Sequence, residues 1–201
     1  MSTIAPTPPA SAPAPLASSS VYRMTVDEYE RLAAAGVLDD PRVELIDGLL
    51  VKKMTQKPPH TWAVEAAHDH LERILPPGWF IREEKPVRIP RFDEPEPDLS
   101  VIRGTRDDYR GRHPGPGDIA LLVEVAESSH DRDQGEKRAA YAQGGIPLYW
   151  IVNLIDRQVE IYSDLGAGDY RSSQVLRPGQ DILVVIDGVE VGRIAVTDVL
   201  P

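Results

Sequence analysis

The sequence predicts a mixed α/β domain, and three stretches carry that expectation. Ile119 to Val125 is an apolar run broken only by Glu124, the pattern of a strand buried on both faces of a sheet. Leu148 to Val152 is a second apolar run, and a short amphipathic segment lies between the two. Beyond residue 156 the pattern becomes one of antiparallel strands separated by turn residues. A strand, a helix and a strand are thus followed by a strand-only region.

At 201 residues the chain is long enough for one domain with a sizeable core and a tail. Residues 1–20, MSTIAPTPPASAPAPLASSS, have almost nothing to bury and read as a disordered Ala/Pro/Ser tail, leaving 21–201 as a single domain. The tail lacks a charged start and a continuous apolar stretch, so it makes a poor signal peptide and the expected location is cytoplasmic. No apolar run approaches the roughly 18 residues of a membrane span. With no cysteine, disulfides, thiolate zinc and a cysteine nucleophile are excluded, and any metal must sit on oxygen or imidazole. A net charge of −10 argues against broad, non-specific adhesion to nucleic acid.

Taken in order, Thr25 and Glu28 match a capping box for a helix ending at Gly36. Val43 to Met54 reads as a hairpin turning at Asp47-Gly48, with Glu44 in its first strand. His60 to about Leu75 has a helical apolar stripe and is stopped by Pro76-Pro77-Gly78. His60, at its start, is a cap or surface residue on one reading and a phosphate contact on another. Trp79 to Pro90 reads as one or two strands, and Pro97-Asp98 opens the next, which runs to Ile102. Residues 103–117 form a loop with Arg103, Arg106, Arg110 and Arg112, either a solvated loop or a set of phosphate contacts. Asp131 is placed as the cap of a helix running to about Gln143, ended by Gly144-Gly145 and Pro147. Further strands follow, with turns at Gly166-Ala-Gly168 and Asp187-Gly188.

The chemistry lies in the polar residues that interrupt these elements. An ionised carboxylate within a buried strand is costly without a cation or several donors, so Glu124 demands a partner. Asp98 and Glu124, from neighbouring strands, would supply two oxygens to magnesium or manganese, which keep several waters. Lys137 could orient the attacking water or stabilise charge on phosphorus. The same spacing fits a plainer account, in which Glu124 pairs with an arginine and Lys137 makes an exposed helix pair with Asp133. No phosphate-binding glycine loop, GxSxG or HExxH is present.

Glu44-Leu-Ile-Asp-Gly48, His60 at a helix start, Pro97-Asp98, and the block EVAxSS…D…GEK…YAxxGIPxYWIVN from Glu124 to Asn153 closely resemble the Uma-two family of restriction-endonuclease-like proteins in the PD-(D/E)XK nuclease superfamily. The resemblance spans about residues 22 to 176. It implies a mixed sheet with an αβββαβ core, preceded by a helix and hairpin, and cleavage of DNA with a divalent metal on Asp98 and Glu124. It also implies a homodimer, since two sites cut both strands. The superfamily lysine should stand two residues after the glutamate, where this chain has Ala126; Lys137, on the following helix, is the matching residue. Glu44, His60, Ser128 and Tyr149 match family positions as well. Two other classes remain open: a non-catalytic binding protein on the same fold, and a metal-dependent phosphoesterase acting on RNA or nucleotides.

Overall fold

The computed structural model describes residues 21–38 and 42–201; the expected Ala/Pro/Ser tail lies outside them. Thr25 caps α1 (Val26–Ala34) with the reciprocal Glu28 bonds of a capping box. β1 (Val43–Ile46) and β2 (Leu49–Lys52) form a hairpin, and both turn residues, Asp47 and Gly48, have positive φ. A Cβ at Gly48 would come within 2.6 Å of the Arg23 Cβ, so only glycine lets the N-terminal segment cross there. Main-chain bonds between Leu45 and Glu94 dock this hairpin on the segment that precedes Asp98.

The central sheet has six strands in the order β3-β4-β5-β6-β7-β8. They are β3 (Trp79–Glu83), β4 (Leu99–Arg103), β5 (Ile119–Ala126), β6 (Tyr149–Asn153), β7 (Gln158–Gly166) and β8 (Asp169–Leu176). Only β5 and β6 run parallel, and the helix between them is the crossover such a pair requires. α2 (Pro58–Ile74) covers one face through Ala63, Val64, Ala67 and Leu71, against Leu99, Val101, Leu121, Val123 and Val125. α4 (Arg138–Gly144) covers the other through Tyr141 and Ala142, against Leu122, Ala126, Tyr149 and Ile151. The expected αβββαβ core is therefore α2-β3-β4-β5-α4-β6. A final hairpin, β9 (Asp181–Ile186) with β10 (Val189–Ala195), closes the α2 face. No helix among the described residues is long and apolar enough to cross a membrane.

Two local expectations are corrected. The stretch 79–90, expected to be strand as far as Pro90, gives one strand that ends at Glu83. Residues 84–97 leave the sheet, because Pro86, Pro90, Pro95 and Pro97 remove the donors a ladder needs, and β4 begins at Leu99 rather than at Pro97. The helix assigned to an Asp131 cap begins two residues earlier, as α3 (His130–Arg132) after Ser129. It then widens into a π-helical turn over Asp133–Lys137 before α4. Its end follows the sequence: Gly145 adopts φ +84° and caps it.

Candidate active site

β5 alternates Leu121, Val123 and Val125 toward α2 with Leu122, Glu124 and Ala126 toward α4, so Glu124 points at the face where Lys137 lies. The lysine Nζ is 2.8 Å from Glu124 Oε1 and 3.4 Å from Glu44 Oε1. Tyr141 OH donates to the same Glu124 oxygen at 2.6 Å. Glu44, on β1, accepts the Glu96 backbone N–H at 3.0 Å through its other oxygen. Asp98 stands just before β4, opposite Glu124 across the strand pair, and its Oδ2 accepts the Val125 N–H at 2.6 Å. His60 Nε2, from the first turn of α2, lies 3.3 Å from that oxygen. Asp133, in the π turn, accepts from Ser129 Oγ at 2.6 Å.

The π turn explains how Lys137 reaches the site. One extra residue in the turn carries both Asp133 and Lys137 inward, where both are buried; such turns recur at functional sites. The exposed Asp133–Lys137 pair allowed by the sequence is thus replaced by a buried network, and the partner of Glu124 is this lysine rather than an arginine.

The charges set the electrostatics. Burial raises the Glu124 carboxyl well above its ordinary range; Lys137 opposes this, and Asp133, Asp98 and Glu44 add to it. Burial likewise raises Asp133, against Lys137 and the Ser129 bond. Burial alone would lower Lys137, but Glu124, Glu44 and Asp133 outweigh it and hold the ammonium charged. Burial also opposes charge on His60, yet Asp98 wins and its pKa is raised. Glu44, Asp98, Glu124 and Asp133 thus share Lys137 and His60, and the cavity of about 60 Å³ that they line is bordered as well by the Lys53–Glu96 pair and by Arg132.

That excess of buried negative charge is what a divalent ion would relieve. The donors are oxygens and an imidazole, suited to magnesium or manganese. Among the described residues, no three acidic or imidazole side chains are gathered closely enough to cage an ion alone. An ion here would take at most two of these side chains and complete its shell with water. The residues fit such an ion.

Asp98, Glu124, Lys137, Glu44 and His60 are therefore brought together. Ser128 is not: it is exposed, and its neighbour Ser129 lines the cavity instead. The arginine loop is also elsewhere. Asp98 precedes β4 and Glu124 lies near the end of antiparallel β5, so the loop joining these strands must lie at the opposite sheet end, roughly 17 Å along the strand. There Arg103 forks onto Asp187 with both contacts at 2.8 Å and stacks 4.3 Å above Trp79. Arg110 pairs with Asp107 and Arg112 with Asp118, while Arg106 is exposed in a short 3₁₀ turn. A cavity of about 590 Å³ lies at that far end and is lined by Trp79, Arg103 and Leu183 but by none of the clustered carboxylates.

Sequence reasoning missed Tyr141 and Asp133 as site residues. Their signal was present, since both lie four residues from Lys137 and so near its face of a helix. Tyr149 finds its place here too: its hydroxyl donates to the Asp133 carbonyl at 3.1 Å.

A family model described as Uma2, putative restriction endonuclease, matches residues 26–196. No curated protein matches the chain. Among solved structures, the crystal structure of a putative nuclease belonging to DUF820 from Anabaena variabilis ATCC 29413 is similar, with a TM-score of 0.64 and 15% identity. The likeness covers 88% of this chain and 97% of that one, and at this identity it concerns the fold.

Proposed function

Since the chain belongs to the Uma2 family of putative restriction endonucleases, we propose that its buried acid cluster is the centre of a divalent-metal-dependent DNA endonuclease. The observation that carries this reading is the 2.8 Å contact of Lys137 with Glu124. The lysine absent from the sequence position after the glutamate is supplied in space by the π turn.

In this reading Asp98 and Glu124 hold magnesium or manganese, and Glu44 is a further carboxylate within reach of Lys137. When bound, the ion supplies a lowered water pKa and a counter-charge for the phosphate. The chain's own residues do the rest. His60 fixes Asp98 and Tyr141 fixes Glu124, each by bonding the carboxylate that faces the ion. Lys137 keeps its proton and places positive charge where charge develops on phosphorus. Two copies of the chain would cut both strands of a duplex.

One observation favours a non-catalytic binding protein instead: Lys137 already neutralises Glu124, which a purely structural clasp would also do. Cleavage of supercoiled plasmid with magnesium or manganese separates the two. Wild type is compared with folded Asp98→Ala, Glu124→Ala and Lys137→Ala. Metal-dependent nicking abolished in all three is the expected result. A folded wild type that binds metal, as titration calorimetry would read, yet cuts neither DNA nor RNA defeats the nuclease reading.

A further inference from the structure

A lysine carried on a strand is fixed by the ladder on both sides. Lys137 has no such support: it ends a π turn between α3 (His130–Arg132) and α4 (Arg138–Gly144). α4 packs on the sheet through Tyr141 and Ala142 and so holds the far end of the turn. The near end is preceded by one helical turn only, which is not stable alone, and needs ties of its own.

The sheet register shows what supplies them. Glu124 on β5 stands opposite Ile151 on β6, and Ile151 opposite Glu160 on β7. Glu124 and Glu160 therefore occupy one row, two strands apart, or about 10 Å. Glu160 is buried and collects five side-chain partners. Oε1 lies 2.8 Å from His130 Nε2 and accepts from Asn153 and Gln158 at 3.2 Å each. Oε2 accepts from Gln134 at 2.6 Å and from Tyr162 OH at 2.8 Å. Burial works against the charge, but these donors win and hold the carboxyl down at about 2, so it is an anion at any working pH.

His130 and Gln134 are the informative partners. They sit four residues apart on the segment that carries Asp133 and Lys137, and they straddle the point where the helix widens. Tyr149 adds a third tie from β6 to the Asp133 carbonyl at 3.1 Å. Asn153, Gln158 and Tyr162 belong to the strands and hold the carboxylate itself. One end of the row thus carries the proposed metal ligand, the other the anchor, and the π turn spans the two.

We propose that Glu160 is a positioning residue: it ties the π turn to β7 through His130 and Gln134, and so sets where the Lys137 ammonium meets Glu124. This rests on the nuclease reading for its effect on rate, but not for the tie itself. Misplacement of a catalytic group by about 1 Å costs on the order of 100-fold in rate, so a loosened turn is expected to act on turnover rather than on DNA binding.

Glu160→Gln tests the anchor directly, but it disturbs a buried network and can fail to fold. The decisive variant is His130→Ala/Gln134→Ala, which leaves Glu160 its three strand partners. Hydrogen–deuterium exchange of the full chain is expected to quicken about 10-fold or more over residues 133–141, with α2 and β5 unchanged. On plasmid DNA at saturating manganese, kcat is expected to fall about 10-fold or more while KM stays within about twofold. Unchanged exchange overturns the tie, and quickened exchange with unchanged kcat overturns the positioning role. If wild type cuts nothing, the nuclease reading fails separately and exchange alone decides the tie.

Discussion

Replacing Lys137 with methionine removes the ammonium and keeps most of the chain length, so it isolates the charge. Nζ lies 2.8 Å from Glu124 and 3.4 Å from Glu44, and it offsets Asp133 as well. Removing one partner from a buried pair costs about 3–5 kcal/mol. Here the loss depends on pH. Glu124 and Asp133 already have raised pKa values from burial, and without Lys137 they rise further. A carboxyl whose folded pKa exceeds its unfolded value takes up protons on folding. Its contribution is present in full below the unfolded value near 4.5 and is lost as pH rises through the folded one. Lys137→Met is therefore expected to lose about 3–5 kcal/mol near pH 8. The deficit should shrink by up to about 1.4 kcal/mol per pH unit per titrating group on acidification. Urea denaturation of both proteins across about pH 5 to pH 8 measures this, and adding magnesium near pH 8 should restore part of the loss. A deficit under about 1 kcal/mol, or one that is the same at every pH, would refute the claim that the ammonium neutralises buried carboxylates.

Tyr141→Phe removes the 2.6 Å bond to Glu124. It should cost about 1 kcal/mol of stability and weaken manganese binding by at least about 10-fold, read by titration calorimetry. Glu94 is buried, and burial together with Glu30 raises its carboxyl to about 7. The wild type thus loses stability from that group as pH rises from about 4.5 to about 7, and Glu94→Gln should be the more stable protein near pH 8. The gain is at most about 3 kcal/mol, nearer 1–2 after allowance for solvent screening, and thermal melts near pH 4.5 should show no difference. Arg110→Ala breaks a local pair with Asp107, and Arg112→Ala breaks one with Asp118 together with a stack on Tyr109 and a bond to the His113 carbonyl, all within or beside the loop. Plasmid cleavage should stay within about twofold and stability within about 0.5 kcal/mol; a large loss of cleavage would return the arginine loop to the substrate path.

Glu124 was legible because one acid stood in an apolar strand, and Asp98 because a proline-aspartate pair opened its neighbour. The same reasoning should have placed the arginine loop correctly. Two antiparallel strands with their carboxylates at the start of one and the end of the other can be joined only at the far end. Glu160 was not legible, since a strand reading Gln-Val-Glu-Ile-Tyr alternates as if its polar residues faced water. Only the parallel crossover, which lays α3 and α4 over that face, buries it. The step from Ser128 to Ser129 has the same origin: the helix begins two residues earlier than the Asp131 cap implied and then widens, so residues rotate away from their expected faces.

These misses share a cause with the displaced lysine. A catalytic group is constrained by where its charged atom lies, not by which element carries it, so a nuclease-like fold can replace a strand lysine with a helix lysine once the ammonium reaches Glu124. The exchange alters what the rest of the chain must do. A strand lysine is held by the backbone ladder that any sequence can form, whereas a lysine on a π turn depends on particular side chains. Glu160, His130, Gln134 and Tyr149 lie outside any short pattern around Asp98 and Glu124, yet in the proposed reading they carry the geometry that the ladder would have supplied. In a chain built this way, loss of function should arise as readily from β7 as from the carboxylates themselves.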